Sequence, residues 1–192
     1  MSNVRQHLAI TALVVLVPEA EVVVSAVRAR FDPAAKLGVP PHVTLLFPFM
    51  PLSAISASVL ASLQELFAGF ASFTATFATV GRWPQQAYLV PEPEAPFIAL
   101  TKGIAARFPG YPPYGGRHPE IIPHLTVAQG SAAAAERGGE EVSVVLAASD
   151  PVLAACAAAT LLESSSGAWR VMHTFPLCSQ LPRVVSVHRT DP

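Results

Sequence analysis

Cysteine is scarce in this chain: two residues, Cys156 and Cys178, among 192. They match no zinc-ligand spacing and are too few for a disulfide framework, which excludes a thiolate metal site and predicts two free thiols in a reducing interior. Charge is scarce as well, at 13% of residues against roughly 25% in an average soluble chain. Twelve Lys and Arg face thirteen Asp and Glu, for a net charge of −1, and no five like charges run together. That balance excludes a sequence-independent grip on a polyanion, so any nucleic-acid contact must be local. Long apolar runs are lacking too. Leu8–Val17 is ten residues, too short for a bilayer needing about 20. Arg5 before it imitates a signal peptide, but Pro18-Glu-Ala-Glu21 stands where small residues should mark a cleavage site. The charge-free stretch 37–64 is cut by Pro40, Pro41, Pro48 and Pro51. The expectation is a soluble cytoplasmic protein without a membrane segment.

Apolar residues, by contrast, are plentiful. At 52% hydrophobic and a mean hydropathy of +0.45, the chain is no disordered segment, and its length suits one domain or two small lobes with a shared core. Leu8–Val17 reads as an interior strand followed by a helix from Pro18 to Phe31, with proline and acids in its first turn. His42–Phe47 is β-rich and closed by Pro48; apolar residues spaced by three and four make Ser53–Phe70 a helix; Phe73, Ala75 and Phe77 alternate as in a strand. The order then recurs, with a strand at Ala87–Val90, a stiff turn at Pro91–Pro96, a helix at Phe97–Phe108, a Gly/Pro loop at 109–119 and a strand at Ile121–Ala128. Leu8 to His42 is 34 residues and Tyr88 to His124 is 36, which suggests a duplicated β-α-β unit. Ser131–Glu141 is helix-capable but interrupted by Gly138-Gly139. Val152–Leu162 and Trp169–Leu177 read as a hairpin, with Ser164-Ser-Ser166 in its turn and no nucleophile setting around it. A single domain over residues 1–181 with a tail at 182–192 is expected.

Two segments share one pattern: Pro41-His42-Val43-Thr44-Leu45 and Pro123-His124-Leu125-Thr126-Val127. On a strand, residues two apart point the same way, so each segment presents an imidazole and a hydroxyl while Val43 or Leu125 faces the core. Two imidazoles around one phosphodiester form an acid–base pair, because histidine near its ordinary pKa of about 6.5 supplies both forms. The threonine hydroxyls would donate to phosphoryl oxygens. This scheme needs no metal and no cofactor. A third His-x-Thr, His188-Arg189-Thr190, lies in the charged tail without strand context and is read as chance. Six histidines without His-x-His, His-Glu-x-x-His or an adjacent acidic cluster argue against a metal hydrolase.

The sequence resembles the two-histidine (2H) phosphoesterase superfamily, which includes 2'-5' RNA ligase-like proteins and cyclic nucleotide phosphodiesterases. The resemblance is carried by Pro-His-Val-Thr-Leu-Leu-Phe-Pro-Phe at 41–49, and by Pro-Pro-Tyr-Gly-Gly at 112–116 leading to Ile-Pro-His-Leu-Thr-Val-Ala at 122–128. It implies an α+β fold, bilobed, with two antiparallel sheets around a central groove and helices outside. It also implies metal-independent chemistry at 2',3'-cyclic or 2'-5' phosphodiesters, with His42 and His124 catalytic and Thr44 and Thr126 binding phosphate. The partner is then a nucleotide or RNA terminus, as substrate. Which histidine is the base stays open, as does the direction, hydrolysis or ligation. The neutral Val127-Ala-Gln-Gly130 after the second motif, where the ligase-like branch often has a basic residue, points to a small nucleotide or RNA end. Tyr114 and Arg117, in the loop before the second motif, are candidates to stack on a base or hold a phosphate. Tyr88 reads as structural, Arg82-Trp83 as a strand end, and His7, His118 and His173 as histidines without motif context. The alternative is a non-catalytic nucleotide or RNA-end binding module of the same fold. No obligate protein partner is evident, and monomer is the default.

Overall fold

The computed structural model describes residues 9–117 and 120–179, so His7, His118 and the tail at 182–192 lie outside the described residues. Strand β1 (Thr11–Leu16) is the first apolar run, and its two faces do different things. Leu13 and Val15 enter the main core, whereas Ala12 and Val14 join a smaller cluster on the opposite face with Val39 and Leu162. A half-turn at Pro18–Ala20 leads into helix α1 (Glu21–Phe31), which buries Val23, Val24 and Val27, spaced so as to fall on one face. Asp32 ends α1 and caps the short helix α2 (Pro33–Lys36), accepting from the Ala34 amide at 2.9 Å. Then come β2 (His42–Leu46) and α3 (Ala57–Ala68), the latter capped by Ser56 and burying Leu63 and Phe67 completely.

β3 (Phe73–Trp83) and β4 (Gln86–Glu92) form a hairpin, followed by α4 (Ala95–Arg107) and β5 (Leu125–Gln129). β4 extends through Pro91, which pairs with Phe77, so the turn expected from Pro91 starts later. β5 starts at Leu125 rather than Ile121, leaving His124 just before the strand. Helix α5 (Ala132–Ala147) runs straight through Gly138-Gly139. Packing rather than propensity explains these glycines: a Cβ on Gly138 would sit 2.4 Å from the Ala128 Cβ, and one on Gly139 would sit 2.9 Å from Arg82 Nε. The glycines let α5 lie directly on the sheet.

The expected hairpin from Val152 is corrected in one respect. The segment 152–163 is two strands, β6 (Val152–Cys156) and β7 (Ala158–Glu163), separated at Ala157. β6 pairs with β3, whereas β7 pairs with β1 and with β8 (Arg170–Pro176), so the chain crosses from one end of the sheet to the other half. The sheet order is β6-β3-β4-β5-β2-β1-β7-β8, antiparallel throughout. The expectation of two sheets is thereby corrected to one curled eight-stranded sheet in a mixed α/β fold. Its two four-stranded halves join through β2 and β5 at a single pair, Val43 opposite Leu125. Both cysteines are free, as expected, and burial pushes the Cys156 thiol up to about 12. Among the described residues no helix is long and apolar enough to cross a membrane.

Gly138→Ala should destabilise the protein by about 1–3 kcal/mol through overpacking against Ala128, although alanine favours a helix by up to about 1 kcal/mol. Urea denaturation reads the balance, and an unchanged or raised midpoint would show that α5 does not sit this close to the sheet.

Candidate active site

Strand alternation sends Val43 and Leu125 into the core, both fully buried, and turns His42, Thr44, His124 and Thr126 to the other face. There all four line one cleft of about 750 Å³. The two histidines are held alike. His42 Nδ1 lies 2.8 Å from the Pro40 carbonyl oxygen, and His124 Nδ1 lies 2.8 Å from that of Ile122. A carbonyl oxygen only accepts, so each Nδ1–H donates and each Nε2 keeps its lone pair as the basic nitrogen. Burial lowers the pKa of both rings. His42 falls to about 4, opposed by its bond to Pro40 and aided by the Arg28 and His124 charges; His124 falls against its bond to Ile122.

Beyond these motifs, the surroundings of the two rings differ. His124 meets Trp83 edge-on at 4.8 Å between ring centroids and Tyr88 at 5.4 Å, and Trp83 lies over Tyr88 at 4.3 Å. Gly81 makes room for this stack, since a Cβ there would be 2.3 Å from the Tyr88 ring. Gln86 Nε2 donates to Thr126 Oγ1 at 2.7 Å. That bond occupies an acceptor position of the hydroxyl and leaves its hydrogen to point to another acceptor. Near His42, the buried pair of Arg28 and Asp32 ties several segments together. Arg28 gives Asp32 bonds of 3.0 and 2.8 Å and also donates to the Val39 carbonyl at 3.0 Å, steadying the Val39–Pro41 approach to His42. Asp32 accepts from Gln129 Nε2 of β5 at 2.8 Å, so this carboxylate links α1 to the second motif strand.

A family model described as the 2'-5' RNA ligase superfamily matches residues 16–168. The chain belongs to that superfamily. Among solved structures it is similar to TT0787 of Thermus thermophilus, at 22% identity and a TM-score of 0.59, over 90% of this chain and 100% of that one. It is also similar to E. coli LigT complexed with 3'-AMP, at 19% identity and a TM-score of 0.55, over 88% and 97% of the two chains. The complex of LigT with NADP+ gives 20% identity and a TM-score of 0.54, over 88% and 97%. No curated protein matches the chain.

In this superfamily member the loop candidates part company. Tyr114 lines the cleft, in a left-handed conformation (φ 53°), and its hydroxyl reaches the Ile122 carbonyl at 3.4 Å, the same oxygen that holds His124. Burial raises its pKa. Arg117 is exposed and is not among the residues lining the cleft. Tyr88 is buried beneath Trp83, in keeping with its structural reading, and His173 is exposed on β8. Among the described residues no group of His, Cys, Asp and Glu is arranged to hold a metal ion. The sequence reading did not reach Trp83 as a site residue, nor Gln86, Asp32, Gln129, Phe47 and Trp169, all of which line the cleft. No sequence signal marked Gln86: its reach to Thr126 follows from the pairing of β4 with β5, where Tyr88, two residues on along the same face, lies opposite Thr126.

If Gln86 acts by orienting Thr126, their effects are not independent. Gln86→Leu should weaken binding of inorganic phosphate about tenfold, as befits a hydrogen bond to a charged group. The same change on a Thr126→Ala background should cost almost nothing. Calorimetric titration of the four proteins measures the coupling, and additive losses would separate the two residues.

Proposed function

We propose that this chain is a metal-independent phosphoesterase that acts on 2',3'-cyclic phosphate or 2'-5' phosphodiester bonds of nucleotides or RNA ends. The supporting observation is the pair of His-x-Thr segments on one cleft, each ring anchored through Nδ1 to the carbonyl two residues earlier. In hydrolysis of a cyclic phosphate, water attacks phosphorus as one neutral Nε2 takes its proton. The bond from phosphorus to the 2' or 3' oxygen breaks as the other, protonated imidazole gives that oxygen a proton. Thr44 and Thr126 donate to the non-bridging oxygens as charge builds on them. His42, lowered to about 4 and neutral near pH 7, suits the base. His124 suits the acid, because the anion bound beside it raises its proton affinity. In the ligation direction the two exchange roles.

Turnover of 2',3'-cyclic mononucleotides or 2'-5'-linked dinucleotides should persist in EDTA. It should fall about 100- to 10,000-fold in His42→Ala and in His124→Ala, the range for a lost general acid or base. Thr44→Ala and Thr126→Ala should each cost less, about 10- to 100-fold. Full activity in either histidine variant would overturn the proposal, and a ligand bound tightly but recovered unchanged would leave a binding module.

The pH dependence has a definite sign. In the free enzyme the productive form has His42 neutral and His124 protonated, so kcat/KM should rise with pH through about 4 and fall again through a limb below 6.5. A kcat/KM profile still climbing above pH 7 would remove the acid role of a histidine with lowered pKa.

A further inference from the structure

The two walls of the cleft differ in chemistry, and strand register makes the difference explicit. On one side Thr126 lies opposite Tyr88, with Gln86 two residues earlier; on the other Thr44 lies opposite Val14, with Ala12 two residues earlier. The Gln86 amide and Trp83 indole that line one half are thus replaced by hydrocarbon in the other. Leu162 of β7 extends that apolar floor, and Trp169 packs against it, its amide held by the Leu37 carbonyl at 2.7 Å. Phe47, 41% exposed at the end of β2, meets Trp169 edge-to-face at 5.8 Å. The charged side chains lining the cleft are both acidic, Asp32 and Glu120, and among the described residues no Lys or Arg lines it. Arg28 lies behind Asp32, engaged by that carboxylate and by the Val39 carbonyl.

We propose that the cleft selects a phosphodiester bearing no further phosphate, whose organic group lies on the His42 side and is read by apolar area and ring stacking rather than by its hydrogen-bonding edge. The inference rests on the phosphoesterase reading and names its substrate class. Ala12, Val14 and Leu162 offer no side-chain donor or acceptor, so a nucleobase above them keeps its polar edge in water while its face meets Trp169. Discrimination among bases then follows ring size. A second phosphate brings further negative charge into a cleft whose charged lining side chains are acidic, with no lining cation to meet it. One phosphate is met by the hydroxyls and, during turnover, by a protonated imidazole.

Calorimetric titration of the full chain at low salt tests this with the 3'-monophosphates of adenosine, guanosine and cytidine, and with adenosine 3',5'-bisphosphate. The bisphosphate should bind about tenfold more weakly than the adenosine monophosphate. The two purines should agree within about threefold, since neither base has its edge read. Trp169→Ala should weaken the purines about tenfold and cytidine less, while Trp169→Phe keeps most of the affinity. Tighter binding of the bisphosphate, or adenosine and guanosine differing more than about tenfold, would overturn the inference, and neither comparison needs a variant to fold. Hydrolysis of 2',3'-cyclic AMP with and without a 5'-phosphate, beside His42→Ala, separates the two levels. Turnover that survives His42→Ala defeats the phosphoesterase reading, whereas His42-dependent turnover favouring the 5'-phosphorylated substrate defeats the selectivity alone.

Discussion

One residue pair, Val43 opposite Leu125, joins the two halves of the sheet, and the site depends on its register. Both side chains are fully buried, and each contributes about 1.5–3 kcal/mol by leaving water. Because side chains alternate along a strand, holding these two inward turns the histidine before each and the threonine after each toward the cleft. A slip of one residue in either strand would bury an imidazole and expose a Val or Leu. Packing of a hydrophobic core therefore aims the polar groups, and no polar contact between the histidines is required for them to converge.

The same alternation is why the four motif residues were legible from sequence: the information is local, within five residues, and repeated. The residues that tune the site are not local. Gln86 reaches Thr126 and Gln129 reaches Asp32 only because β4, β5 and α1 come together in the fold. Trp169 sits in a segment whose composition says hairpin, and its place in the cleft follows from β7 lying beside β1. The break at Ala157 was invisible because apolar residues continue across it. Gly138 and Gly139 misled in the opposite way, since helix propensity counts the cost of glycine but not the closeness of the sheet beneath α5. The first apolar run, which imitates a signal peptide, owes its character to facing the core on one side and the cleft floor on the other.

The buried Arg28–Asp32 pair shows how a sparsely charged protein uses its charges. Its side chains are 4% and 1% exposed, a placement that costs desolvation and is tolerated only where every polar atom is engaged. Here the guanidinium and carboxylate reach α2, the segment before His42, and β5. A single ion pair thus braces the approaches to both motifs, and its removal on one side would strand the other charge in the interior.

The crossing of the chain at Ala157 fixes the order in which the molecule can be completed. β1 lies between β2 and β7, and Thr11 finds its partner at Glu163, so during synthesis the first strand waits for nearly the whole chain before its second edge is covered. Until then the hydrocarbon floor of the cleft borders an open strand edge, the kind of surface on which nascent chains associate wrongly. Contacts this distant in sequence also slow folding. The ribosome must therefore release most of the chain before the cleft exists, and a product ending before β7 would carry both motifs yet lack one wall.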